Sequence, residues 1–89
     1  MSKHFEDARY YLGRAVEHAK KGVEEELEPL QERVARIVGE EKEPEPSRLE
    51  KLQADLKELQ AEAEGEAREA LKSARERVES FRRREGTAN

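Results

Sequence analysis

The chain has 89 residues, of which 45% are charged and 34% hydrophobic, so it is expected to form one small domain without a core of ordinary thickness. The absence of cysteine excludes disulfides, thiolate metal sites and a cysteine nucleophile. A net charge of only −4, together with regularly spaced apolar residues, argues against disorder and favours long, highly charged helices.

The first predicted element is a helix over about residues 2–38, with Ser2 as its N-cap and Gly39 as a left-handed C-cap. Apolar residues recur along it at steps of three and four. This first series comprises Phe5, Ala8, Leu12, Ala15, Ala19, Val23, Leu27, Leu30, Val34 and Ile37. Because the series keeps its phase past Pro29, we expect that proline to lie on the outer face and to kink a continuous helix. A break into two helices is the alternative.

A turn is predicted over residues 39–46, where Pro44 and Pro46 disfavour helical geometry in the residues before them. The second predicted helix covers about residues 47–85. Its predicted N-terminus is marked by Ser47 and Glu50, which have the spacing of a capping box.

A second apolar series runs along this helix with the same steps as the first. It comprises Leu49, Leu52, Leu56, Leu59, Ala63, Ala67, Leu71, Ala74, Val78 and Phe81. When the two helices pair antiparallel about the predicted turn, the numbers of facing residues add to 86, so that Phe5 faces Phe81. The helix-breaking residues and the apolar periodicity therefore predict that the chain reverses direction at the same point.

These elements predict an all-α fold: a single domain over residues 1–89, built as an antiparallel, coiled-coil-like two-helix hairpin. A helix of this length extends about 54 Å. Alanine occupies several positions of each series, so the apolar seam is thin and a second layer of helices is needed. We therefore expect a homodimer that forms a four-helix bundle. Apolar residues outside the seam are the candidates for self-association: Tyr10, Tyr11, Val16, Val38, Ala54, Ala61 and Ala70.

Charge is distributed unevenly between the two halves of the predicted rod. Residues 1–22 and 65–89 contain 12 Lys+Arg and 8 Asp+Glu, whereas residues 23–64 contain 6 and 14. The open end is therefore basic and the turn end acidic. A polyanion such as RNA, the ribosome or DNA is a candidate ligand of the basic end. Its candidate contacts are Arg9, Arg14, Arg75, Arg77, Arg82, Arg83 and Arg84.

No residue pattern indicates catalysis, a cofactor or a metal. His4 and His18 lie about 21 Å apart along one helix, so they cannot share an ion within one chain. Runs of glutamate are typical of a solvated helix face, and a two-helix rod offers no pocket for chemistry. We therefore predict that the protein is not an enzyme and binds no cofactor.

Four stretches of the chain, residues 3–12, 24–29, 43–50 and 63–70, resemble a family of short, uncharacterised helical proteins of haloarchaea. The resemblance implies a salt-rich cytoplasm and no known activity. Arginine outnumbers lysine 11 to 7, which is in keeping with halophilic usage. No apolar run is long enough to cross a membrane, and the first residues lack an apolar signal core, so we expect a cytoplasmic protein.

Taken together, these observations predict a structural or interaction module that self-associates or binds a helix of another protein. Polyanion binding through the basic end is the alternative function.

Overall fold

The computed structural model describes residues 3–39 and 45–88, with side chains described up to residue 83. Within these described ranges the fold has four helices: α1 (Lys3–His18), α2 (Lys21–Gly39), α3 (Pro46–Glu62) and α4 (Gly65–Ala88). The described residues contain no strand, so the predicted all-α class is confirmed. The predicted two-helix hairpin is wrong, because each of its long helices is divided into two.

The helices pack as a bundle in which α1 lies against α2 and α4, and α3 lies against the same two helices. Between α1 and α4, Asp7 pairs with Arg77 and His18 pairs with Glu66, so these helices run antiparallel. The bundle measures 40 × 22 × 20 Å, well short of the predicted rod. In effect, the hairpin is folded in half across its middle.

The division of the first long helix does not occur at its proline. Helix α2 continues through Pro29, whose ring is exposed on the outer face. The prediction of a continuous helix at this point is confirmed. The chain instead leaves helical geometry at Ala19 and Lys20, and Glu24 N–H then donates to Lys20 O at 2.8 Å as α2 begins.

The second long helix is divided at the matching place, Ala63 and Glu64. Ala63 has extended backbone angles, φ −79° and ψ 160°, and its N–H donates to Leu59 O. The next helix starts at Gly65 with φ 59°, a left-handed conformation that glycine adopts without steric cost. Two short, neighbouring turns thus replace the straight middle of the predicted rod.

Both apolar series form one core inside this bundle. Every residue of the second series is buried, and so is the first series except Ala19 and Val23, which are partly buried against the core. The predicted contact between Phe5 and Phe81 is confirmed, with ring centroids 4.7 Å apart. Ala70 is an addition that the periodicity did not include; it is buried because α4 packs against two helices and needs a wider apolar face.

Burial explains why the helices divide. A straight hairpin would leave one side of each leucine in water, whereas the bundle encloses Leu12, Leu27, Leu56 and Leu71 completely. Fully burying an exposed leucine contributes about 1.5–3 kcal/mol, so covering the remaining side contributes a part of that at each core position. Summed over the core, this gain offsets the backbone hydrogen bonds lost at two turns, which cost about 0.5–1.5 kcal/mol each. The second layer that the thin seam required is supplied by the same chain.

The predicted helix ends need three corrections. Helix α3 begins at Pro46 after Glu45, which makes no side-chain capping hydrogen bond, so the capping box predicted at Ser47 is wrong. Gly39 is the last residue of α2 and does not have a positive φ. Helix α4 continues to Ala88, beyond the predicted end at 85. The N-cap predicted at Ser2 and most of the predicted turn lie outside the described residues.

Folding the hairpin in half also changes where its charges lie. The acidic half of the chain forms most of α2 and α3, and the basic half forms α1 and α4. Because the two pairs of helices lie side by side, the charge asymmetry runs across the bundle. The predicted separation of charge along a rod is therefore wrong.

Candidate functional surfaces

The predicted self-association residues are distributed between the core and the surface. Ala70 is buried in the core and therefore belongs to no surface. Three others are partly buried and pack against the core: Tyr11, Val16 and Val38. Tyr10, Ala54 and Ala61 are exposed, the alanines on α3 and the tyrosine on α1.

Tyr10 lies on the outward face of α1 with 60% of its surface exposed. Among the residues whose side chains are described, it is the exposed large hydrophobic one. Its ring meets the ring of Tyr11 edge to face, with centroids 5.3 Å apart. Arg9 and Arg14 flank it along the groove between α1 and α2, and Gly13 leaves room beside it.

The seven predicted polyanion contacts do not share one surface. Arg9 and Arg14 line the groove between α1 and α2, whereas Arg75 and Arg83 line the groove between α3 and α4 on the opposite side of the bundle. The side chain of Arg84 lies outside the described part of the chain.

The remaining two predicted contacts have carboxylate partners. Arg77 lies 3.7 Å from Asp7, and Arg82 lies 3.8 Å from Glu50. Carboxylates also line both arginine-containing grooves: Glu6 and Glu17 on one side, Glu76 and Glu79 on the other.

A third groove, between α2 and α3, carries a cluster of cations that the sequence analysis missed. Its lining consists of Arg33, Arg36, Ile37, Arg48, Lys51 and Leu52. These residues belong to the acidic half of the chain, where counting charge by halves hid them. The signal was available, because each helix contributes two cations three residues apart, a spacing that places both on one helix face.

The two histidines have separate environments. His18 Nδ1 lies 3.0 Å from Glu66 Oε2 at the exposed end of α1. The rings of His4 and Phe81 meet edge to face, with their centroids 6.4 Å apart. Within residues 3–39 and 45–88, no group of three histidine, aspartate or glutamate side chains could hold a metal ion.

The described part of the chain is that of a small all-α protein, in which four helices enclose one apolar core. A family of unknown function, DUF7553, matches residues 1–84, and the chain belongs to that family. The predicted resemblance to a family of uncharacterised proteins is thus confirmed, whereas a haloarchaeal origin stays a prediction. Neither the curated proteins nor the solved structures contain a match to this chain. No helix in the described ranges is long and apolar enough to cross a bilayer.

Proposed function

We propose that the protein is a non-enzymatic interaction module that self-associates through the outward face of α1, centred on Tyr10. This Tyr10 face consists of Lys3, Glu6, Tyr10, Arg14 and Glu17, all of them exposed. The observation that carries the proposal is the exposure of Tyr10 on a rigid helix whose opposite side is anchored in the core.

Tyrosine and arginine are among the residue types most enriched at the centres of protein interfaces. A tyrosine ring buries a large area while losing few rotatable bonds. The contact between Tyr10 and Tyr11 already restrains the ring in the single chain. Burial of Tyr10 in an interface therefore has a low entropic cost.

The charges of the Tyr10 face favour a second copy of the chain as the partner. When two α1 helices pair antiparallel with Tyr10 opposite Tyr10, Glu6 of each copy faces Arg14 of the other. In the same register, Lys3 faces Glu17. A twofold interface brings one patch against itself, so it requires this kind of self-complementary pattern.

The closed bundle also removes one reason for the predicted dimer. The core is complete within one chain, so dimerisation is not needed to cover the apolar seam. We therefore propose a dimer of two folded bundles in contact along α1. A helix of another protein that binds the same face is the alternative partner. Polyanion binding at the basic end is the less favoured function, because the predicted arginine contacts are spread over different surfaces.

Charge exchange at the Tyr10 face tests the proposal. Sedimentation at low salt should give about twice the 10.3 kDa chain mass for the unchanged protein. Glu6→Arg and Arg14→Glu should each weaken dimerisation at least about tenfold, because each change occurs twice in a symmetric dimer. The double exchange restores complementarity and should recover most of the affinity.

Glu58→Arg is the matched control, because Glu58 is exposed on α3 and its reversal changes the net charge by the same amount as Glu6→Arg. It should leave the dimer unchanged. A monomer throughout the micromolar range would refute self-association. Equal weakening by Glu6→Arg and Glu58→Arg would show that the Tyr10 face is not the interface.

A further inference from the structure

Gly13 lies in the interior of α1, about one turn from Tyr10, although the fold does not require a glycine there. Its φ is not positive. Among the described residues, the nearest atom that an added Cβ would meet outside the helix backbone is Gln31 Nε2, at 3.6 Å, which is an ordinary contact. Glycine inside a helix is less favourable than alanine, because it loses more backbone freedom on folding. Residues that break a local rule without a packing reason are expected at functional sites.

The missing side chain at Gly13 opens the groove between α1 and α2 beside the Tyr10 face. Gln31 and Val38 line the groove from α2, and its volume is about 440 Å³. Val38 packs against the core, and Leu12, the neighbour of Gly13 on α1, is completely buried. This Gly13 groove, lined by Gly13, Gln31 and Val38, therefore has a fixed base on which a flat ring can pack.

The direction of the Tyr10 side chain relates the Gly13 groove to the proposed dimer. Long side chains on a helix lean toward its N-terminus, so the Tyr10 ring reaches toward the level of Glu6 on its own helix. In the antiparallel register with Tyr10 opposite Tyr10, that level lies opposite residues 13 and 14 of the other copy. Each ring thus extends toward the Gly13 of the facing helix, and the two rings pass each other without overlap.

We propose that the Gly13 groove binds the Tyr10 ring of a second copy of the chain. The inference rests on the proposed self-association and names the residue that makes it specific. A twofold dimer contains two such contacts, each with the ring of one copy on the groove of the other. Gly13 acts through its lack of a side chain, because the ring then packs directly against the helix backbone.

Charge complementarity favours a second copy over an unrelated helix as the source of the ring. Glu6 and Arg14 also line the groove between α1 and α2, on either side of Gly13 along α1. The register that brings each ring to a Gly13 groove is the one that places Glu6 of each copy opposite Arg14 of the other. Ring contact and charge pairing thus require the same alignment of the two helices.

Gly13→Gln tests the groove, because glutamine fills it with a neutral side chain that favours helix. In dilute solution, where the chain is monomeric, the change should raise the denaturation midpoint. It should weaken dimerisation at least about tenfold in sedimentation equilibrium, because both ring contacts are lost. A misfolded variant would not show these two effects together.

Gly22→Gln is the matched control. Gly22 is exposed near the start of α2, has no positive φ, and an added Cβ meets nothing described within 4 Å. The control should change dimerisation less than about twofold, because it lies off the Tyr10 face. Equal weakening by Gly13→Gln and Gly22→Gln would overturn the proposal.

Mixing two variants tests whether the ring and the groove belong to different copies. Homodimers of Tyr10→Ala lack both rings, and homodimers of Gly13→Gln lack both open grooves. A mixed dimer keeps one intact contact, between the ring of the Gly13→Gln chain and the groove of the Tyr10→Ala chain. Titration of one fluorescently labelled variant with the other should therefore show binding at least about threefold tighter than in either homodimer.

The outcomes separate this inference from the proposed function. A dimer that Gly13→Gln does not weaken, or a mixed dimer with an affinity between those of the two homodimers, overturns the role of the Gly13 groove. Neither result affects the proposed self-association, which the charge exchanges at Glu6 and Arg14 test independently. A monomer throughout the micromolar range in the unchanged protein overturns both proposals, and the ring would then have to come from a helix of another protein.

Discussion

Two regions of the first half of the chain contrast in how they meet the rules of helix formation. Around Pro29 the sequence contains the strongest local helix breaker, and α2 nevertheless runs through it. Ala19 and Lys20 are themselves good helix formers, and the helix nevertheless ends there. In both regions, local helix propensity thus predicts the opposite of the observed structure.

The difference lies in what each region buries. On either side of Pro29, Leu27 and Leu30 lie in the core on the same face of α2, so a break would pull one of them out. The segment at Ala19 carries little apolar volume, because Ala19 and Val23 are only partly buried. The chain therefore bends where bending removes the least from the core.

The largest expected effect is the loss of core packing beside the division. Leu27→Ala should lower the free energy of unfolding by about 2–5 kcal/mol, because Leu27 is completely buried. Val23→Ala, four residues earlier and only partly buried, should cost less than half as much. Chemical denaturation measures both values. Equal losses of stability for the two changes would contradict the conclusion that the fully buried part of α2 begins at Leu27.

The next effect concerns Pro29 itself. Pro29→Ala should raise the free energy of unfolding by about 1–3 kcal/mol, because alanine restores a backbone donor and removes the ring's clash with the preceding turn. The exposed ring contributes no core contact that would be lost. Glu28→Ala is the control at the neighbouring exposed site and should change stability by less than about 0.5 kcal/mol. Destabilisation by Pro29→Ala would show that the proline is needed for the fold.

The smallest of the three effects is at the second division of the chain. Gly65→Ala should destabilise by about 1–2 kcal/mol, because φ at Gly65 is 59° and a Cβ is strained there although the space around it is open. Gly22→Ala, at the start of α2 beside the first division, also meets open space but has no positive φ. It should be neutral or stabilising by up to about 1 kcal/mol. Thermal unfolding monitored by circular dichroism separates the two; a stabilising Gly65→Ala would contradict the left-handed turn.

The ion pairs at the two divisions are consequences of the fold. Lys20 lies 3.3 Å from Glu64, joining the two turns, but both side chains are largely exposed. Exposed pairs of this kind contribute little free energy. The position of the turns is therefore set by the core.

The candidate surfaces were predicted only in part from the sequence. Tyr10 was identified because an aromatic residue outside the apolar series has no place in the core, and the structure leaves it exposed. The cationic side chains of the groove between α2 and α3 were missed because they belong to two helices separated by the turn and are outnumbered by nearby glutamates. Net charge per segment does not report which side chains converge after folding.

The sequence by itself determined the helical class, most residues of the core, the pairing of Phe5 with Phe81 and the passage of the helix through Pro29. These follow from apolar spacing, which is a property of neighbouring positions on one helix face. Only the tertiary structure decided that each long helix divides. The apolar series keep their steps across Ala19 and Ala63, because both halves of each series face a common core. Periodicity records which face is buried, but it does not distinguish a straight seam from a seam folded back on itself; the extra burial inside the closed bundle makes that choice.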